Sequence, residues 1–232
     1  MRYEIVGANL QMVRAELNPG EGILAEAGAM VNMSGHMQMQ SQMTGGILGG
    51  IKRVIAGESL FLARFFPAER PGFVSFAGNF PGRIFQIALD GDREFVAQRD
   101  SFLCCEEGIS LDVALVKKIG SGLFGGGGFI LQTMGGRGTA FLHCCGDIIT
   151  VPLKEGEVIR VRTGLVVGFD SSVTYDIALA GGVPSLIFGG EGLFVTTLTG
   201  PGTVILQSMD IARIAASVTP YIKRPEERDG RS

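Results

Sequence analysis

One plan is written three times along this chain: a strand, a Gly-containing tight turn, a second strand, a Gly-rich apolar loop, and a closing turn marked by Gly. The first turn with its flanks reads AELNPGEGILAEAG at 15–28, IALDGDREFVAQRD at 87–100 and VPLKEGEVIRVRTG at 151–164. Leu17, Leu89 and Leu153 fall in register, 72 and then 64 residues apart. The later strands ESLFLARF from Glu58, GGFILQTM from Gly127 and EGLFVTTL from Glu191 each follow a Gly-rich loop. Each leads into a predicted hairpin around Pro71-Gly72, Arg137-Gly138 or Pro201-Gly202. Self-similarity at such a period means one supersecondary unit used three times, each copy burying its apolar face against its neighbours.

The strands themselves are read from alternation and from Val, Ile, Phe and Thr enrichment between turns. Met37, Met39 and Met43 alternate with Gln38, Gln40 and Gln42, which predicts a half-buried strand. Ile109, Leu111, Val113 and Leu115 alternate with Ser110, Asp112 and Ala114, and the stretch from Val173 to Leu179 repeats the pattern. Asp112 and Asp176 share a repeat position and read as solvent-facing carboxylates, since Asp is rarely buried without a partner. Asn18-Pro19-Gly20, Asp90-Gly91 and Glu155-Gly156 supply the positive φ of tight hairpins. Past Ser208 the apolar spacing turns helical through Ile211, Ile214, Ala215 and Val218, predicting a short helix over about 209–219 packed on the β-body. The reading is all-β: an antiparallel β-sandwich of double-stranded β-helix type with three internal repeats at about 1–80, 81–145 and 146–209. These form one pseudo-threefold body over 1–222, followed by a charged disordered tail at 223–232.

Composition narrows the function classes. The net charge of −3 disfavours a surface built for polyanions, so no nucleic acid is expected as partner. Arg64, Phe65 and Phe66, and Arg160 with Arg162, are the only clusters of an RNA-binding kind, and they read as solvated strand faces. With 36 Gly, no Trp and 46% hydrophobic residues, extensive apolar interfaces and a homo-oligomer are expected. No apolar run is long enough for a membrane-spanning helix and no signal peptide opens the chain, so a cytoplasmic location is expected.

No motif names a reaction. The loops GGILGGIKRVIAGES at 45–59, KKIGSGLFGGGGFI at 117–130 and AGGVPSLIFGGEGLF at 180–194 lack the GxxxxGK[ST] spacing of a phosphate cradle. Their shared position in the repeats makes them interaction loops, with Gly49, Gly50, Lys52, Arg53, Phe124 and Phe188 as the residues singled out. Lys52-Arg53 and Lys117-Lys118 beside them are the basis for an alternative, attachment to an anionic membrane surface. Cys104-Cys105 and Cys144-Cys145 are vicinal pairs, whose adjacent residues point to opposite faces of a strand. Each pair then offers one thiol to a given side, leaving His143, Cys145 and Cys105 as the weak metal candidates and buried free thiols as the favoured reading. The two His, His36 and His143, are too few for a cupin metal set, and no catalytic residue, cofactor or metal is assigned.

The three-repeat layout, GGILGGIKRVIAGES followed by LFLARF, and the closing GPGTVILQS resemble the altered-inheritance-of-mitochondria family of uncharacterised proteins, over nearly the whole chain from Tyr3 to Tyr221. The resemblance implies an antiparallel β-sandwich of the kind grouped with the tryptophan RNA-binding attenuator protein, without transferring RNA or tryptophan binding. Mitochondrial relatives look connected with inner-membrane organisation. The resulting expectation is a non-enzymatic binding or scaffold protein that self-associates through its Gly-rich apolar loops. The alternatives are a peripheral membrane protein, or a small-molecule or metal-binding sandwich with a site near His143.

Overall fold

The computed structural model of the protein describes residues 1–43, 61–117, 129–179 and 194–222. After an N-terminal strand β1 (Arg2–Val6), each repeat supplies six strand positions. The first repeat has β2 (Met12–Leu17), β3 (Ile23–Glu26), β4 (Met30–Met33), β5 (Met37–Met43), β6 (Phe61–Pro67) and β7 (Gly72–Ala77). The second has β8 (Gly82–Asp90), β9 (Phe95–Gln98), β10 (Phe102–Glu106), β11 (Ile109–Lys117) and one long strand, β12 (Phe129–Cys145), that fills both the fifth and sixth positions. The third has β13 (Ile148–Leu153), β14 (Val158–Arg162), β15 (Val166–Asp170), β16 (Thr174–Leu179), β17 (Phe194–Thr199) and β18 (Gly202–Gln207). A single 3₁₀ turn joins the second and third strand of every repeat, at Ala27–Ala29, Arg99–Ser101 and Thr163–Leu165.

Pairing is the same in all three. The sixth strand lies between the first and third, as in β2–β7–β4, β8–β12–β10 and β13–β18–β15. The fifth lies between the second and fourth, as in β3–β6–β5, β9–β12–β11 and β14–β17–β16. All these ladders are antiparallel, so the expected all-β sandwich-like architecture is what the chain adopts. The Gly turns, however, are not hairpins. Gly20, Gly91 and Gly156 do have the positive φ expected of them, at 91°, 103° and 72°. But the strands on either side pair with different partners, so each turn carries the chain from one layer to the other. The same holds at Gly72 and Gly202, and at Gly138 β12 passes from one layer to the other without a break. Within the repeats the hairpins are instead β5 with β6, β11 with β12 and β16 with β17, each pair joined in sequence by a Gly-rich loop, while β1 forms a further hairpin with β2.

Leu17, Leu89 and Leu153 are all buried, and each faces the Gly that opens the sixth-strand segment: Gly72, Gly138 and Gly202. Three apolar cores follow, one per repeat, each borrowing side chains from its neighbour. Leu103, Cys104 and Phe141 join the first core; Val167 and Ile205 join the second; Val96, Phe129 and Leu131 join the third. The neighbours are also joined edge to edge: β10 pairs with β3, and β15 with β9. Met37 is buried on β5 while Met39 on the same face is exposed, so the Met-rich face is covered along only part of its length.

A polar device recurs with the repeat. Ser34, Glu106 and Asp170 occupy one repeat position at the end of the third strand, and each accepts the backbone N–H of the residue after the Gly. Phe73 donates to Ser34 Oγ at 3.1 Å, Thr139 to Glu106 Oε2 at 2.7 Å and Thr203 to Asp170 Oδ2 at 2.9 Å. An N–H freed where a strand changes layer needs an acceptor, and a side chain supplies it.

The C-terminal helix α1 (Ile211–Val218) forms where the spacing placed it, with Asp210 capping it by accepting from the Arg213 N–H at 2.7 Å. Its packing differs from expectation. None of its residues is buried, and Ala212 and Ile214 are only half covered.

Candidate functional site

His143 lies on β12 opposite Ile84 of β8, at the seam between the first and second repeats. Its ring rests 4.6 Å from that of Phe80 and is 3% exposed. The connector from β7 to β8 admits it because two positions lack side chains. A Cβ on Gly78 would overlap the imidazole, and one on Gly82 would come within 3.1 Å of Nε2. Burial pushes the His143 pKa down to about 4, so the ring is neutral at pH 7. Beside it opens a cavity of about 170 Å³, lined among others by Glu26, Asn79, Asp100, Phe102 and Ile211. Burial raises the Glu26 carboxyl, with the Arg99 charge pulling the other way. Along the same connector runs a larger, mainly apolar groove of about 420 Å³ that includes Val6, Leu10, Val31, Ala77 and Phe80.

The repeat explains the cavity. His143 corresponds to Ala77 in the first repeat and Gln207 in the third, since all three stand five residues after the Gly opposite the marker Leu. Gln207 spans its seam completely: its Nε2 donates to the Gly164 carbonyl at 2.8 Å and its Oε1 accepts the Cys145 N–H at 2.8 Å. The imidazole makes no such bridge, and space remains between it and the Arg99–Ser101 turn. A pocket of this size holds several waters or a very small fragment, below the roughly 300–1,000 Å³ usual for ligand sites.

The thiols are not gathered for metal binding. Cys105 faces Ala140 across the β10–β12 ladder, five residues along β12 from Cys145, or about 16 Å at the usual strand rise. Among the described residues no group of three or more His, Cys, Asp or Glu is placed to hold a metal ion. All four Cys are free and buried, and burial raises each thiol, Cys105 to about 12. His36 contacts the Pro71 carbonyl at 3.1 Å, remote in sequence and repeat from His143.

Of the basic clusters, Arg160 is exposed on β14 and the other members are engaged. Phe65 is fully buried, Arg64 pairs with Glu107 and lies over the Phe66 ring at 4.2 Å, and Arg162 reaches Asp210 at 3.4 Å. Asp112 and Asp176 are exposed on their strands. Gly49, Gly50, Lys52, Arg53, Phe124 and Phe188 lie outside the described residues. No described helix is long and apolar enough to cross a membrane. Sequence reading missed the acceptor position at Ser34, Glu106 and Asp170, and the equivalence of Ala77, His143 and Gln207. Alignment on Leu17, Leu89 and Leu153, extended to the sixth strand through Gly72, Gly138 and Gly202, finds both.

A body of three equivalent two-layer β-units, joined edge to edge, defines a class of repeat β-protein. Within that class, the chain belongs to the family described as mitochondrial biogenesis AIM24, whose pattern matches residues 3–209. It is similar to the crystal structure of protein SPYM3_0169 from Streptococcus pyogenes, at 25% identity and a TM-score of 0.77, over 95% of this chain and 99% of that one. No curated protein matches it.

Proposed function

We propose that this protein is a non-enzymatic binding or scaffold module that self-associates. The observation that carries the reading is the fate of its chemistry-bearing side chains. The polar position common to all repeats is occupied in accepting backbone N–H groups, the thiols are buried with raised pKa, and the one deeply buried imidazole is neutral beside a cavity too small for most ligands. The Gly-rich loops connect the same strand pair in every repeat, which suits a surface repeated three times around one body; association through them is part of this reading.

Native mass spectrometry of the untagged protein tests it. The expected result is an integer multiple, above one, of the 24.5 kDa chain with no added mass per subunit. A monomer overturns the self-association, and a stoichiometric bound metal or metabolite overturns the scaffold reading in favour of the His143 pocket.

A further inference from the structure

The seams inside the chain show how its two ends are shaped. At each seam the third strand of one repeat pairs with the second strand of the repeat before it, in one register. Cys104 faces Ala25 and Cys105 faces Leu24; Gly168 faces Ala97 and Phe169 faces Val96. The steps of 72 and 64 residues carry Ala25 to Ala97, and Cys104 to Gly168, so the two seams are the same contact.

Each unit therefore has a donor edge, its second strand, and an acceptor edge, its third. Three units in a row use two of each. The acceptor edge of the first repeat, β4, and the donor edge of the third, β14, remain: among the described residues β4 is paired only with β7, and β14 only with β17.

Exposure confirms that these are the same kind of edge left uncovered. The third strand of every repeat carries a bulge at one position, after Met30, Phe102 and Val166. The bulged residue is Leu103 or Val167 at the inner seams, where it is 2% and 0% exposed. Its counterpart on β4, Val31, is 53% exposed. On the other side, the inner donor strands β3 and β9 are almost wholly buried, whereas β14 has Val158 and Arg160 exposed and Ile159 half covered.

A second feature points to the same occupant. At the inner seams the residues at the Ala77 position are covered by the chain at or just past the end of the preceding sixth strand: His143 by Gly78 and Asn79, Gln207 by Cys145. At Ala77 no sixth strand among the described residues takes that place, and the apolar groove of about 420 Å³ with Val31 and Leu10 lies open instead. The residue equivalent to Asn79 and Cys145 at the far end of the chain is Met209, an apolar side chain 45% exposed.

We propose that β14 of one copy pairs antiparallel with β4 of a second copy in the register of the inner seams, Asn32 opposite Val161 and Met33 opposite Arg160, with Met209 of the first copy entering the Val31 groove of the second. The occupant is a second copy because the complementary edge is the one this chain carries at its other end. The contact is heterologous, so it repeats from copy to copy, as a ring where the rotation closes and as a filament where it does not. An exposed edge is otherwise open to indiscriminate pairing, and pairing with the complementary edge of another copy covers it.

This inference rests on the self-association proposed above, and one experiment separates the two. Asn32→Cys and Val161→Cys are made as single variants, purified apart, mixed in equal amounts after brief dissociation, and oxidised; residues opposed on neighbouring strands fall within disulfide reach. The expected result is a disulfide between one chain of each kind in the mixture, absent when Asn32→Cys is mixed with Val158→Cys, three residues out of register. In parallel, Val31→Lys, at an exposed position that leaves the core untouched, should reduce the native mass from oligomer to single chain with an unchanged far-UV spectrum. An oligomer that keeps its mass in Val31→Lys and gives no cross-link overturns the edge contact and leaves self-association standing. A disulfide formed only within the Asn32→Cys/Val161→Cys double variant overturns it as well, since the two edges would then close within one chain. A wild-type monomer overturns both proposals.

Discussion

Removing the carboxylate at Asp170 should destabilise the fold more than neutralising it does. Asp170 does two things: Oδ2 accepts the Thr203 N–H at 2.9 Å, and Oδ1 meets Arg93 Nη2 at 2.7 Å. A hydrogen bond to a charged group contributes about 1.5–3 kcal/mol. Thr203 is half-buried, so water can partly replace the acceptor, which lowers the loss to about 1–2 kcal/mol. The Arg93 side chain is 59% exposed, so screening holds the ion pair to about 0.5 kcal/mol. Asp170→Ala loses both, about 2 kcal/mol, or 4–8 °C in Tm for a chain of this length. Asp170→Asn keeps an acceptor and should cost about 0.5 kcal/mol, as should Arg93→Ala. Urea unfolding of the three variants, compared at a common m value, reads the differences directly. If Asp170→Ala and Asp170→Asn agree within about 0.5 kcal/mol, or if Arg93→Ala costs as much as Asp170→Ala, the N–H acceptor is not what the position provides. The repeat extends the test: Glu106→Ala should resemble Asp170→Ala, while Ser34→Ala, which loses a neutral acceptor, should cost about 1 kcal/mol.

Three further outcomes are expected. The His143 pKa of about 4 lies below the ordinary 6.5, so the unfolded chain takes up the proton first; its contribution is complete above pH 6.5 and is lost as pH falls toward 4. Stability measured at pH 7 and 4.5 should therefore fall by about 2–3 kcal/mol more in wild type than in His143→Gln. Glu26, whose raised pKa acts in the opposite sense, is common to both proteins and cancels; equal losses would show that the imidazole is not held neutral. With all four thiols buried and their pKa values raised, a maleimide at pH 7 should label fewer than one Cys per native chain and all four after denaturation; prompt native labelling would contradict the packing. Gly82→Ala should prevent stable folding, because its Cβ would overlap the Cys144 carbonyl oxygen where β8 and β12 pair, and soluble expression with a normal melting curve would refute that fit.

The fold was legible where the residue type is dictated by one local requirement. Leu17, Leu89 and Leu153 must fill the same core position, and the turn after each must take a positive φ, so Leu and Gly recur and can be counted. What such marks do not carry is partnership. A Gly turn between two strands reads as a hairpin, but whether the strands pair with each other or with two different neighbours depends on the fifth and sixth strands some 40–50 residues on. The acceptor at Ser34, Glu106 and Asp170 escaped for the opposite reason: a hydroxyl or a carboxylate can each accept one N–H, so the chemistry recurs while the residue does not. The His143 site was half legible. Sequence placed it beside Cys144 and Cys145 and prompted a metal, whereas the β10–β12 register holds Cys105 remote from Cys145.

Comparison among repeats also locates individuality in this chain. Wherever all three units share a contact, the contact holds the frame, and anything peculiar to one unit must come from a position where they differ. The position held by Ala77, His143 and Gln207 is such a place. Gln207 closes the seam between the second and third repeats with two hydrogen bonds, His143 leaves a small cavity at the first seam, and Ala77 faces an open groove at the end of the chain. The surroundings of this position become emptier from the last repeat to the first, in step with how much of the seam the chain itself provides. A large residue at Ala77 would fill the groove that a neighbouring Met209 is inferred to enter. Ala77→Phe should therefore leave the melting temperature of the single chain within about 2 °C, given the open groove, while weakening assembly at least tenfold in a dilution series followed by light scattering. Unchanged assembly would mean that the groove is not part of the contact, whatever else joins the copies.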